Sequence, residues 1–174
     1  MRERDRLMRI CKADKEDLNE ILQLQYLAYQ SEAALFGTKD IPPLKQTLEE
    51  VEAEYDAGVI LKMIPDEGAN CDGEADGASA STEGARIIGS VRGREESGTV
   101  YIGKLMVHPD FRGRGLGTAL LTAIEKLFPG KRLELFTSTR SVDNIRLYEK
   151  NGYKIFDRKD IDDDLTFVYL EKGL

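Results

Sequence analysis

The stretch Arg112-Gly113-Arg114-Gly115-Leu116-Gly117-Thr118 constrains this chain more than any other, because of what stands on either side of it. Before it, Thr99 to Val107 is rich in β-branched and aromatic residues, and Pro109 ends the run by removing a ladder donor. After it, Leu116, Ala119, Leu120, Ala123, Ile124 and Leu127 recur at helical spacing, which predicts an amphipathic helix ending before Pro129-Gly130. A strand, a loop with three alternating glycines and a helix make an anion site. Glycine lets the backbone come close, and the first N–H groups and positive dipole end of the helix point at the ligand. Arg112 and Arg114 add charge, so the expected ligand is a phosphorylated cofactor.

Two glycine-rich patterns fail on these residues. A P-loop needs a lysine followed by serine or threonine after its last glycine, and Gly117 is followed by Thr118-Ala119. A dinucleotide fingerprint counted from Gly113 meets Thr118 where its last glycine belongs, and His108 to Arg112 separate it from the strand. The residues do fit [RQ]-x-x-G-x-[GA], read as Arg112, Gly115 and Gly117, directly behind Val107-x-Pro109. Farther on stands Asn144-Ile145-Arg146-Leu147-Tyr148-Glu149-Lys150-Asn151-Gly152-Tyr153.

Together these segments resemble the GNAT N-acetyltransferase superfamily, with a likeness running from about Leu7 to Leu174. The resemblance implies that the loop, Arg112 through Gly113, Arg114, Gly115, Leu116, Gly117 and Thr118, binds the pyrophosphate of acetyl-coenzyme A. It implies that Met106 and Val107 pair with the pantetheine arm, and that Asn144 and Tyr148 approach the thioester. The activity so implied is direct acetyl transfer to an amine within a ternary complex, with no metal.

Hydrophobic periodicity gives one mixed α+β domain over residues 1–174. Strands are expected at Leu7 to Lys12, Val59 to Ile64, Arg86 to Arg94, Thr99 to Val107, Arg132 to Thr137, Tyr153 to Arg158 and Leu165 to Glu171. Asp14 caps a helix whose Leu18, Ile21, Leu22, Ala28 and Tyr29 share a face, and Phe36 to Pro43 reads as a loop. Thr47-Leu48-Glu49-Glu50 is a capping box opening a second helix that ends at Gly58, and Ser141 to Asn151 is a short helix. The strand, crossover helix and strand around the glycine loop form a parallel unit, so strands four and five should be parallel in an otherwise antiparallel sheet. The resemblance adds that this pair splays apart, within seven strands flanked by about four helices.

Composition bounds the partners. The formal charge of −7 is concentrated in residues 65–85, which hold Asp66, Glu67, Asp72, Glu74, Asp76 and Glu83 and no base, so the rest of the chain is nearly neutral. That stretch is rich in Gly, Ala, Ser and Thr and is expected to be a flexible hairpin insertion. No dense basic face suggests nucleic acid, no run approaches the roughly 18 apolar residues of a membrane span, and Cys11 and Cys71 are too far apart for a zinc pattern. The charged start, Met1 to Arg6, lacks the apolar core of a signal peptide, and a cytoplasmic protein is expected. The family likeness allows a homodimer.

Acyl transfer from a thioester to an amine needs a neutral amine, a donor for the developing oxyanion and a proton for the leaving thiolate. By resemblance the Val107 N–H is the oxyanion donor and Tyr148 the acid, although a tyrosine on a short helix also suits a core. Asn144 either bonds the cofactor arm or belongs to the helix start. Tyr29 and Glu32 border the expected acceptor side, with the alternative that Tyr29 fills the core stripe and Glu32 a solvated edge. Tyr101 and Lys104 are further alternatives, Lys104 standing where many relatives carry an acid, and His108 is expected to be a loop residue. The acceptor is expected to be a small amine, with a peptide amine or a non-catalytic acyl-coenzyme A sensor as alternatives.

Overall fold

The computed structural model describes residues 8–66 and 87–173. Seven strands, β1 (Met8–Lys12), β2 (Val59–Pro65), β3 (Gly89–Glu96), β4 (Thr99–Val107), β5 (Arg132–Ser138), β6 (Lys154–Asp160) and β7 (Thr166–Lys172), form one sheet in the order β1-β2-β3-β4-β5-β7-β6. The β4–β5 pair is parallel and the other neighbours are antiparallel. This is the expected mixed sheet, and β2 and β3 pair as expected on either side of the acidic stretch. Apart from Pro65 and Asp66, that stretch lies outside the described residues, as do Leu7 and Arg86 at the starts of expected strands and Leu174 at the end of the family likeness.

The described helices are α1 (Leu18–Ala28), α2 (Gln30–Phe36), α3 (Pro42–Lys45), α4 (Leu48–Ala57), α5 (Leu116–Lys126) and α6 (Val142–Lys150), and none is long and apolar enough to cross a membrane. The capping box forms as its residues dictate: the Glu50 N–H donates to Thr47 Oγ1 at 3.3 Å, and the Thr47 N–H donates to the Glu50 carboxylate at 2.8 Å. Two details depart from the sequence reading. The first helix breaks at Tyr29 into α1 and α2, and α2 ends on Gly37 at φ 67°. The Phe36 to Pro43 segment is also not all loop: Phe36 closes α2 and Pro42 opens α3, a position where the missing proline N–H costs nothing.

Two apolar clusters sandwich the sheet. On one face Leu116, Leu120, Leu121 and Ile124 of α5 pack on Leu61, Met63, Val91, Val100, Ile102, Leu133 and Leu135. Burial of each such side chain stabilises the fold by about 1.5–3 kcal/mol relative to exposure. On the other face Leu18, Ile21, Leu22 and Leu24 of α1 meet Val51, Ile60, Ile64 and Met106. The seat for α5 is cut by glycine: a Cβ on Gly89 would stand 2.9 Å from Leu120 Cδ1, and one on Gly93 3.0 Å from Ile124 Cγ1. Alternate residues Ser90 and Arg92 therefore face α1 and α4.

Two irregularities position the site. The β4–β5 ladder runs only from Thr99↔Arg132 to Tyr101↔Glu134, after which β4 stays paired with β3 and β5 with β7. Opposite β3, Ser90 pairs with Met106 but Arg92 with Gly103, so β4 carries one extra residue there. Lys104 sits in this bulge at φ 50°, a left-handed conformation uncommon outside Gly, Asn and Asp.

Candidate active site

The parallel strands part on the side where both chains leave the sheet, and the sequence motifs gather there. After β4, His108 Nδ1 accepts from the Asp110 N–H at 3.1 Å and Pro109–Phe111 makes one helical turn, so His108 is the loop residue expected. Gly113 and Gly115 then take φ 75° and 77°, conformations that side chains resist, and Gly115 caps α5. Residues Arg112 to Gly115 are exposed, and a Cβ on Gly113 or Gly115 would meet nothing within 4 Å. A Cβ on Gly117 would stand 3.4 Å from Leu147 Cδ2, which sets the start of α5 against α6. The first turn of α5, with Leu116, Gly117 and Thr118, thus offers helix N–H groups that have no partner within the helix.

The two arginines of the loop part company. Arg114 is exposed, its guanidinium 5.2 Å from the Phe111 ring centre. Arg112 turns back: its Nη2 donates to the Ala28 carbonyl at 2.7 Å, its Nη1 to Ser31 Oγ at 2.9 Å and its Nε to the Val107 carbonyl at 3.3 Å. That side chain ties the end of β4 to the α1–α2 break. The His108 N–H donates to the Ile88 carbonyl, just before β3, at 2.7 Å. Because successive N–H groups alternate sides along a strand, the Val107 N–H is directed toward the gap beside β5.

Across the gap, Glu32 on α2 gathers the start of α6. Its Oε1 accepts from Ser141 Oγ at 3.0 Å and from Asn144 Nδ2 at 3.1 Å. The Asn144 side chain therefore bonds across to α2 rather than within the start of α6, and Glu32 is no solvated edge residue. Burial pushes the Glu32 carboxyl up against these two hydrogen bonds and the Arg112 charge. Tyr148, one turn after Asn144, is buried with its ring 6.0 Å from that of Tyr153. Burial, and then the Glu32 charge, push the Tyr148 phenol up, and the same two influences act on Tyr29, so both keep their protons at neutral pH. Neither hydroxyl makes a hydrogen bond among the described residues. Glu32, Tyr29, Asn144 and Tyr148 thus come together, with Ser141 as an additional member.

A second polar group lies behind Tyr29, and sequence reasoning missed it. Arg92 is buried and donates to Gln25 Oε1 at 2.7 Å, to Gln46 Oε1 at 3.0 Å and to the Glu54 carboxylate at 2.5 Å. Gln25 Nε2 reaches the Pro43 carbonyl at 2.8 Å, which fastens α3 to α1. The available signal was one charge inside the apolar run Ile87 to Gly93. Lys104 lies near this group; burial, and the Arg92 charge, push its ammonium down against the carboxylates of Glu54 and Glu50. Met106 is buried against α1, and Tyr101 stacks with Arg94, 5.6 Å from guanidinium to ring centre. No group of three or more His, Cys, Asp or Glu among the described residues is arranged to hold a metal ion.

Residues 78–155 match the family described as the acetyltransferase (GNAT) domain. An acetyltransferase of Yersinia enterocolitica is 39% identical over 83 residues, covering 45% of this chain and 57% of that protein. One of Pectobacterium atrosepticum is 37% identical over 76 residues, covering 41% and 52% respectively. The chain thus spans about half the length of these curated relatives. The crystal structure of the PaiA N-acetyltransferase of Thermoplasma acidophilum in complex with coenzyme A superposes with a TM-score of 0.70 at 18% identity, over 96% of this chain and 99% of that one. Residues 78–155, through the glycine loop and α6, thus carry the match to the GNAT acetyltransferase domain, within a fold shared along nearly the whole chain.

Proposed function

We propose that this chain is an acetyl-coenzyme A-dependent N-acetyltransferase that acetylates the primary amine of a small molecule by direct transfer. The observation that carries the reading is the parted β4–β5 pair with an open glycine loop and the start of α5 at its rim. Acetyl-coenzyme A, when bound, supplies a thioester-activated acetyl group. The chain's own residues do the rest. Backbone N–H groups from Gly113 to Thr118 hold the diphosphate, with Arg114 adding charge and Arg112 bracing the loop. Met106 and Val107 border the arm, and the Val107 N–H stabilises negative charge developing on the acetyl oxygen.

As the amine nitrogen bonds the acetyl carbon and the carbon–sulfur bond breaks, Tyr148, protonated through burial, donates its proton to the departing sulfur, and the proton lost by the amine passes to water, from which Tyr148 is reprotonated. Asn144 is the polar group beside it, and Tyr29 and Glu32 border the acceptor.

The test is to incubate purified protein with acetyl-coenzyme A and a library of amines and peptides and to read acetylated products by mass spectrometry. Small amines are expected among the products. Tyr148→Phe is expected to keep coenzyme A binding by calorimetry and to lower transfer about tenfold or more. Tight binding with no acetylated product makes the protein a sensor, and no binding heat removes the cofactor from the reading.

A further inference from the structure

We infer that the acceptor carries a carboxylate apart from its reactive amine, the Lys104 ammonium holding that carboxylate while Glu32 faces the amine. This rests on the proposed acetyl transfer and names the class of its acceptor.

The argument comes from which charges on this side of the sheet already have partners. Arg92 is matched by Glu54, which also accepts from Gln46 Nε2 at 2.6 Å. Glu50 is engaged in the α4 capping box. Arg94 pairs with Glu96 at 2.8 Å, Glu134 with Arg132 at 2.6 Å, and Arg112 is held by Ala28, Ser31 and Val107. Two groups remain. Lys104 makes no hydrogen bond or ion pair among the described residues, although its side chain is partly buried. Glu32 is hydrogen-bonded only by the neutral donors Ser141 and Asn144, and feels the Arg112 charge without a direct ion pair.

These two opposite charges are not paired with each other, and Arg92 links their surroundings: it holds Gln25, one turn before Tyr29 on the helix that leads to Glu32, and it pairs across the sheet with Gly103, the neighbour of Lys104. A partly desolvated ammonium without a partner favours an anion of the ligand, just as the carboxylate beside Tyr148 favours a cation. A diamine would set its second ammonium against Lys104 and is disfavoured. The backbone supports a ligand role for Lys104. It stands in a bulge next to the parted strands at φ 50°, and strained conformations of this kind gather at binding sites.

The experiment gives the full-length chain and acetyl-coenzyme A three acceptors that differ at one end: an ω-amino acid, its amide and the matching diamine, each at several chain lengths. The amino acid is expected to exceed its amide in kcat/KM by about tenfold or more. Lys104→Gln is expected to bring that ratio near unity through KM while the KM for acetyl-coenzyme A stays within about twofold, and Lys104→Glu to turn preference toward the diamine. Equal use of amide and amino acid by the wild type, or a ratio that survives in Lys104→Gln, overturns the inference. If nothing is acetylated although coenzyme A binds, the transferase reading fails on its own. The charge inference is then read by calorimetry of the same ligands on coenzyme A-loaded protein: a carboxylate preference lost in Lys104→Gln supports it, and no preference overturns it.

Discussion

Glu32 is a carboxylate whose surroundings make its charge costly. Because burial raises its folded pKa above the ordinary value near 4.5, the folded protein holds that proton more tightly than the unfolded chain does. The stabilising share of Glu32 is therefore complete below the ordinary value and is lost as pH rises through the raised one. Glu32→Gln does not ionise, so its melting temperature relative to wild type is expected to climb between acid and neutral pH. Thermal melts of both proteins from pH 4 to 8 check this, and a difference that stays constant across the range refutes it.

At the same scale, the sequence named residues that the fold brings together better than it indicated whom they bond. Tyr148, Asn144, Tyr29 and Glu32 were all legible as site candidates. The Glu32 bonds to Ser141 and Asn144 were not, because they span 109 and 112 residues and depend on the break at Tyr29. Arg92 was illegible for a similar reason: its partners come from α1, α4 and the turn after α3.

Among the elements, β3 and α5 are fitted to each other by absence of side chain. Gly93→Ala would bring a methyl to 3.0 Å from Ile124 Cγ1 and 3.1 Å from Phe128 Cε2, inside a packed layer. The expected cost is about 1–3 kcal/mol, which lowers the melting temperature by several degrees at about 2–4 °C per kcal/mol for a chain of this size. Gly103→Ala, where nothing lies within 4 Å, is the control and is expected to melt close to wild type. Strands and long helices were readable because their apolar residues repeat over several turns or alternations. The four residues of α3 offer too few positions for any period to show. The β4 bulge left one trace in the sequence, a glycine at 103 inside an otherwise strand-forming run.

For the molecule as a whole, cofactor binding and global stability are linked. A ligand that binds the folded state alone, at about one hundred times its Kd, adds about 2.7 kcal/mol to unfolding. Coenzyme A at that concentration is expected to raise the melting temperature by several degrees in a fluorescence melt, and an unchanged midpoint counts against the proposed site. The mixed sheet and its parallel pair followed from the strand–helix–strand order alone. The extent of the parting did not, since it depends on where the last β4–β5 pairing falls, at Tyr101 and Glu134. Each arm of that fork is held on its outer side by its own antiparallel partner, β3 for one and β7 for the other. A guest entering between them has no ladder to break, so the shape it needs is already present and the free energy of its contacts is left for affinity.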